Sequence, residues 1–399
     1  MSELRPISPT ERVAVLDVLR GFALYGVLLV NVEGAFSTGW FRPDPGTTPV
    51  DVAANWLVRL FFAGRSLTML TFLFGLGFAV QLARAESRGE DVRRTYVRRL
   101  LVLFGVGLFH LTLWWGDVTS HYAIIGFALL AFRRVRPRTL LVWVAVLVMV
   151  PQLVMAWPGA TAAVRTALGQ PASVEAVRDA VVAGIRSGSY TAAVAAHFQM
   201  LPSYLAMIVG WYPAWVLGRF LLGYYAGARR LFDGDGAAHL PLFRRLFLWS
   251  ALIGVVSTVI VSGLRSKLMA GYELLPIGQV ASMAVTEISV LSTAAAYVAL
   301  AVLLMQRPAW RRALLIVAPV GRMPLTVYLS QTMIAMAVFY GWGLGLSGRV
   351  GAAGALGVST AIYTAQVAAC HLWLRRYRLG PAEWLWRTLA YGRRQPMRI

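Results

Sequence analysis

Ionisable and amide side chains recur at regular places in long apolar runs of this chain, and their spacing is that of acid–base chemistry. In LDVLRGFALYGVLLVN, Asp17 and Arg20 open the run and Asn31 closes it. At about 100° of turn and 1.5 Å of rise per residue, Arg20 and Asn31 fall within roughly 20° on one helix face and about 16 Å apart. Hydrocarbon offers hydrogen bonds to neither a guanidinium nor an amide, so the stripe must face protein or a wet cavity. Arg99 and His110 repeat this spacing, and GDVTSHYA follows with Asp117 and His121. A carboxylate and an imidazole four residues apart share a helix face or flank a tight turn. Such a pair makes a general base, because the carboxylate fixes the imidazole tautomer and raises its basicity. The plain alternative is a hairpin cap with an interfacial histidine. His110 itself reads as a hydrogen-bonded packing residue, and Glu33, rotated by about 200° from Asn31, points elsewhere.

Other polar groups sit at membrane depth. Arg65, in AGRSLTMLTFLFGLGF, is placed to clamp an anion, to pair with Asp117 or to snorkel outward. Glu287, in ASMAVTEISVL, is the clearest intramembrane carboxylate, and its ionised form needs a partner or water. In GRMPLTVYLSQT, Arg322, Tyr328 and Gln331 line one stretch and Pro324 suits a helix start. For these groups polar packing between helices and a functional role both stay open.

The elements that must position these groups follow from composition. With 58% hydrophobic and 14% charged residues over 399 positions, the chain repeats apolar stretches long enough to span a bilayer core. The expected fold class is all-α: a polytopic integral membrane helical bundle forming a single transmembrane domain over residues 1–399. Ten spans are expected, at about 14–34, 60–82, 99–116, 119–133, 139–157, 202–228, 246–263, 279–305, 322–344 and 352–374. Residues 158–200 read as an external loop with short amphipathic helices, and residues 375–399 as a cytoplasmic interfacial tail or a lid over a site. The connections on one side carry 26 arginines, against seven Arg and Lys residues on the other, which places both termini in the cytoplasm and the chain in the inner (plasma) membrane.

The same asymmetry accounts for the net charge of +21. The arginines lie in short connections where topology and anionic headgroups favour them, so nucleic acid is not an expected partner, whereas membrane lipid is. The single cysteine, Cys370, cannot form an internal disulfide and reads as a core thiol. The first apolar run lacks the features of a cleaved signal peptide. No phosphate-binding glycine loop, dinucleotide fingerprint or metal-ligand pattern is present, so no metal is expected. FGLGF, at Phe74–Phe78, reads as close helix packing.

Four segments carry a family resemblance: LDVLRGFALYGVLLVN, RSLTMLTFLFGLGFAVQL with its basic loop, WWGDVTSHYAIIGFALL, and GRMPLTVYLSQT followed by FYGWGLGL. They resemble, in order and spacing, the YeiB-like membrane proteins (domain of unknown function 418), and GPAEWLWRTLAYGRRQP is similar to that family's ending. More distantly, LDVLRG and its apolar run are similar to the first span of membrane acyltransferases of the heparan-glucosaminide acetyltransferase type. Those enzymes also have asparagine where this chain has Asn31, with a catalytic histidine in the following loop. Here VEGAFSTGWFRPD holds no histidine, so a base must come from elsewhere.

The likeness implies acyl transfer from cytoplasmic acyl-CoA, with acetyl-CoA as the favoured co-substrate, to a hydroxyl or amine of a small-molecule or glycan acceptor. Arg20, Arg98, Arg99 and Arg322 are the candidates for the phosphates of CoA. Asn31 would steady the thioester oxygen, and His121, oriented by Asp117, would deprotonate the acceptor. The rival is a transporter or exporter of a small metabolite or lipid using Glu287, Arg65 and Asp117, with homodimerisation open in either case.

Overall fold

A computed structural model describes residues 13–37, 39, 48–86, 92–156, 174–269 and 276–399. Among these, every regular element is helical apart from one isolated bridge between Tyr377 and Arg398. The α-helices are α1 (Ala14–Asn31), α2 (Pro49–Phe61), α3 (Arg65–Glu86), α4 (Val92–Leu113), α5 (Thr119–Phe132), α6 (Pro137–Ala156), α7 (Val174–Arg186), α8 (Tyr190–Gln199) and α9 (Leu201–Val209). They continue with α10 (Tyr212–Ala228), α11 (Leu240–Met269), α12 (Pro276–Met305), α13 (Pro308–Leu315), α14 (Ala318–Arg322), α15 (Pro324–Phe339), α16 (Ala352–Leu374) and α17 (Pro381–Tyr391). Arg5, Arg12, Arg42 and Arg165, and the 158–173 part of the expected external loop, lie outside the described residues.

Six described helical stretches are long and apolar enough to cross a membrane: Ala14–Phe36, Pro49–Arg84, Arg93–Leu113, Asp233–Leu264, Ile277–Met305 and Ala352–Leu374. Three shorter apolar helices accompany them, Thr119–Phe132, Pro137–Pro151 and Pro324–Phe339. The protein is therefore a helical membrane protein. Length carries six of the ten spans expected from hydropathy, and chain breaks account for two of the others. The 202–228 stretch is interrupted at Gly210 and Trp211, with Pro213 in the first turn of α10. The 322–344 stretch contains a break at Met323 and leaves α15 only 16 residues long. A hydropathy window registers apolar composition and is blind to such breaks.

The basic connections gather at one end of the bundle. There the start of α1 donates its Val15 N–H to Asp235, which also pairs with Arg311 of α13 at 2.8 Å. At the same end α17 folds back on the bundle. Trp386 donates to the Arg99 carbonyl at 2.8 Å, and the buried Glu383 carboxylate accepts the N–H groups of Leu325 and Thr326 at 2.6 and 3.1 Å. Glu383 thus caps the first turn of α15, which opens at Pro324 and has N–H groups without intrahelical partners. Burial pushes the Glu383 carboxyl up, and the Thr326 and Leu325 hydrogen bonds oppose that shift.

Two packing features position the site. Helices α3 and α10 approach closely, because a Cβ at Gly75 would overlap the Phe220 carbonyl and one at Gly223 the Phe72 carbonyl. Of the FGLGF glycines, Gly75 makes this close contact and Gly77 faces open space. Large apolar side chains such as Leu248, Trp249, Val255 and Val259 of α11 stay exposed, as a lipid-facing helix requires.

Candidate active site at the Asp117 hairpin

The connection between α4 and α5, residues 114–118, is buried in the protein, and Asp117 is only 1% exposed. Helices α8 and α9 close over it: Tyr204 Oη donates to the Asp117 carbonyl at 3.3 Å, and His197 Nδ1–H donates to the Leu113 carbonyl at 3.1 Å. The hairpin is thereby buried in the protein.

The Asp117 carboxylate is saturated with donors. Oδ1 accepts from Thr119 N at 3.1 Å and Thr119 Oγ1 at 2.5 Å, and Oδ2 accepts from Ser120 N at 2.7 Å and Ser120 Oγ at 2.6 Å. These bonds make Asp117 the cap of α5's first turn. His110 Nδ1–H donates to Oδ1 at 2.9 Å. Burial raises the Asp117 carboxyl, but the hydrogen bonds from His110 and from the Ser120 and Thr119 hydroxyls outweigh it and hold the group below its ordinary value.

This corrects the expected pairing. The carboxylate of Asp117 orients His110, not His121; His121 Nδ1–H instead meets the Asp117 main-chain carbonyl at 2.9 Å. The reason is helical geometry. His121 lies within the first turns of α5, where its ring falls beside the carbonyl four residues back, while the carboxylate is turned onto the helix N–H groups. Arg65 does not pair with Asp117 either: it donates to the Arg59 and Ala63 carbonyls and to Ser289 Oγ.

Three buried histidines now differ in one respect. His197 is satisfied on both nitrogens, its Nε2 accepting from Tyr340 Oη at 2.8 Å. Burial lowers its pKa to about 4, against the pull of the Leu113 carbonyl. His110 and His121 are each held through Nδ1, and the Nε2 of each is buried with no hydrogen-bond partner, as is Trp114 Nε1 beside His110. Since the Asp117 oxygens can only accept, both rings carry a proton on Nδ1, and it is Nε2 that each leaves without a partner. Tyr328 of α15 closes the cluster, accepting from Val118 N at 3.3 Å with its ring 5.2 Å from that of His110.

The other anticipated residues are distributed around this cluster. Arg20 is paired with Asp17 at 2.8 Å, and Arg99 lies over the Trp386 ring and donates to Tyr391. Arg322 ends α14, whose Gly321 packs on the Asp17 carbonyl, so Arg20 and Arg322 belong to the same end of the bundle; Arg98 is exposed on α4. Asn31 ends α1, just before a π-turn at Val32–Phe36 that stacks Phe36 on Trp114. Asn31 makes no hydrogen bond within the described residues, while Gln331 donates to Gln366 at 3.2 Å and to the Leu24 carbonyl. Glu287 is paired with Arg219, and Glu33 with Arg59.

Sequence reading missed Arg219, Tyr204, Ser120 and His197. Arg219 carried the same signal as Glu287, an ionised group inside an apolar run. Ser120 sits three residues after Asp117, where a capping carboxylate meets the first turn, whereas Tyr204 and His197 carried no signal, because only folding brings α8 and α9 onto the hairpin. A second feature is an apolar cavity of about 520 Å³ between α3, α10, α11 and α12, lined by Phe72, Leu222, Leu246 and Val298 and bordered by Arg229 and His239.

Comparison with known proteins gives one family. The profile described as "Protein of unknown function (DUF418)" matches residues 226–393. The chain is 30% identical to the uncharacterized protein YxaH of Bacillus subtilis, over 100% of this chain and 98% of that protein. It is 27% identical to the uncharacterized protein YeiB of Escherichia coli, over 95% and 96% of the two chains. An uncharacterized 39.9 kDa protein encoded in the amylase 3' region of Bacillus acidopullulyticus is also 27% identical, over 98% and 97%. No solved structure matches.

Proposed function

The chain belongs to the YeiB-like DUF418 family, and from that premise we propose that it is a membrane-embedded acyltransferase whose general base is His110, positioned by Asp117. The observation that carries this reading is the His110–Asp117 pair: Nδ1–H bonded to a buried carboxylate at 2.9 Å, with Nε2 bare. In such a pair Nε2 accepts the proton of an acceptor hydroxyl or amine as that atom attacks the thioester carbonyl of an acyl-CoA. The carbon–sulfur bond breaks, the acyl group passes to the acceptor, and the thiolate of CoA leaves and takes up the proton. Asp117 keeps the tautomer fixed and stabilises the imidazolium while it lasts.

The basic end faces the cytoplasm in this reading and meets the donor there. Arg20, Arg322, Arg98 and Arg99 supply guanidinium groups that match the phosphates of CoA. The protein is placed in the inner (plasma) membrane, with an acceptor of small-molecule or glycan type. Incubation of the purified protein with acetyl-labelled acetyl-CoA and candidate acceptors tests the proposal. Transfer of label that is lost in His110→Gln supports it. A protein that binds no acetyl-CoA at about 1 mM, the upper end of ordinary KM values, refutes it.

A transport reading draws on the buried Arg219–Glu287 pair, because ionised groups at membrane depth also line substrate paths. It predicts pH-dependent uptake into proteoliposomes with no covalent product, and loss of that uptake in Glu287→Gln.

A further inference from the structure

At the end of the bundle opposite the basic connections, a cavity of about 260 Å³ is lined by Arg186, Phe339, Gly341, Gly345, Ser347, Gly348 and Arg349. Two guanidinium groups thus border one small space. Neither meets a carboxylate among the described residues. Ser347 is 5% exposed, and its Oγ is buried without a hydrogen-bond partner. A buried, unpartnered hydroxyl is costly unless a ligand supplies the missing bond.

The segment is built to hold this arrangement. After α15 the chain turns back, and the N–H groups of Leu344, Leu346 and Ser347 bond to the carbonyls of Ala337, Val338 and Phe339 at 2.8, 3.2 and 2.9 Å. The last carbonyls of α15 are therefore already capped by backbone. The arginines are not needed as helix caps there. Gly341 donates its N–H to the Ile185 carbonyl at 2.9 Å, which ties the loop to the end of α7 and brings Arg186 to it. Gly348 has φ +72°, and a Cβ there would overlap the Arg186 guanidinium. The glycine both permits the turn and leaves the space that Arg186 occupies.

From this juxtaposition of Arg186, Arg349 and the unpartnered Ser347 hydroxyl, we infer that the cavity is an oxyanion-binding site, suited to the phosphate of a small molecule or of a lipid headgroup. Guanidinium groups donate in a planar fork that matches phosphate oxygens, and the Ser347 hydroxyl adds a third donor. The site stands independently of acyl transfer, because none of its residues belongs to the His110–Asp117 cluster.

The test uses the full-length protein purified in detergent, titrated calorimetrically with inorganic phosphate, and the same protein reconstituted in nanodiscs of phosphatidylcholine with or without phosphatidylglycerol. The expected affinity for free phosphate is about millimolar, as charge-assisted hydrogen bonds from two exposed arginines and one bond from a buried hydroxyl supply. Arg186→Gln and Arg349→Gln should each weaken it by about tenfold and Ser347→Ala by about threefold. Both arginines are exposed, so these variants keep the fold, and an unchanged elution profile and melting temperature check this. Binding of free phosphate identifies a soluble ligand. Enrichment of phosphatidylglycerol around the wild type but not around Arg186→Gln/Arg349→Gln, without free phosphate binding, identifies a headgroup. Absence of both, or binding unchanged in the double variant, overturns the inference.

Discussion

Two buried ionic clusters in this bundle were assembled by opposite rules. In the Arg219–Glu287 pair every guanidinium nitrogen and carboxylate oxygen has a partner. The Arg219 guanidinium bonds Glu287, Thr68 Oγ1 and the Trp215 carbonyl and lies 3.5 Å over the Trp215 ring, while Trp215 Nε1 donates to the second Glu287 oxygen at 3.1 Å. Around Asp117 the carboxylate is equally saturated, but the imidazoles it organises each leave one nitrogen bare. The first cluster is closed and ties α3, α10 and α12 together. The second is open at the atoms that carry chemistry. Burial and charge are common to both, so neither property by itself distinguishes a reactive site from a structural joint; satisfaction of each donor and acceptor does.

Substitutions can break this contrast. The largest effect is expected for His110→Gln, which should lower acyl transfer by about 10²- to 10⁴-fold with little change in melting temperature, measured in parallel on one preparation. Comparable loss in His121→Gln would assign the base role to both rings. Next, Arg219→Met should destabilise by about 3–5 kcal/mol, because it strands the Glu287 charge, whereas Arg219→Met/Glu287→Leu should recover most of that loss. Thermal unfolding in detergent reads the difference, and a double variant no better than the single would mean that the pair is not the closed joint described.

The third expectation concerns pH. With a folded pKa of about 4 against an ordinary 6.5, neutral His197 contributes stability that is complete above pH 6.5 and is lost as pH falls toward 4. The total is about 3 kcal/mol. Replacing it by Gln should remove that part of the pH slope, which unfolding curves between these limits will show. The smallest expected effect belongs to Glu383→Ala, which uncaps α15. It should cost about 1–2 kcal/mol and expose α17 to limited proteolysis.

The sequence was explicit about class and about part of the site. Asp117, His110, His121 and Glu287 could all be named from it, since ionisable groups in apolar runs are rare and stand out. Their pairing was not legible. A four-residue spacing suggested Asp117 with His121, but the hairpin turns the carboxylate across to α4, seven residues back along the chain. Two of the ten expected spans, 202–228 and 322–344, contain breaks, at Gly210–Trp211 and at Met323, that hydropathy does not register.

Composition and charge patterning determine, without coordinates, that this is an all-helical membrane protein and that its basic connections share one side. Those are properties of how many apolar and basic residues lie where along the chain, and solvent transfer energies act on them one by one. Only the tertiary structure decides that α8 and α9 cover the Asp117 hairpin, that Arg219 neutralises Glu287 and that Arg186 meets Arg349 beside Ser347. Those facts depend on hydrogen bonds between residues far apart in sequence, which helix packing creates and spacing along the chain does not encode.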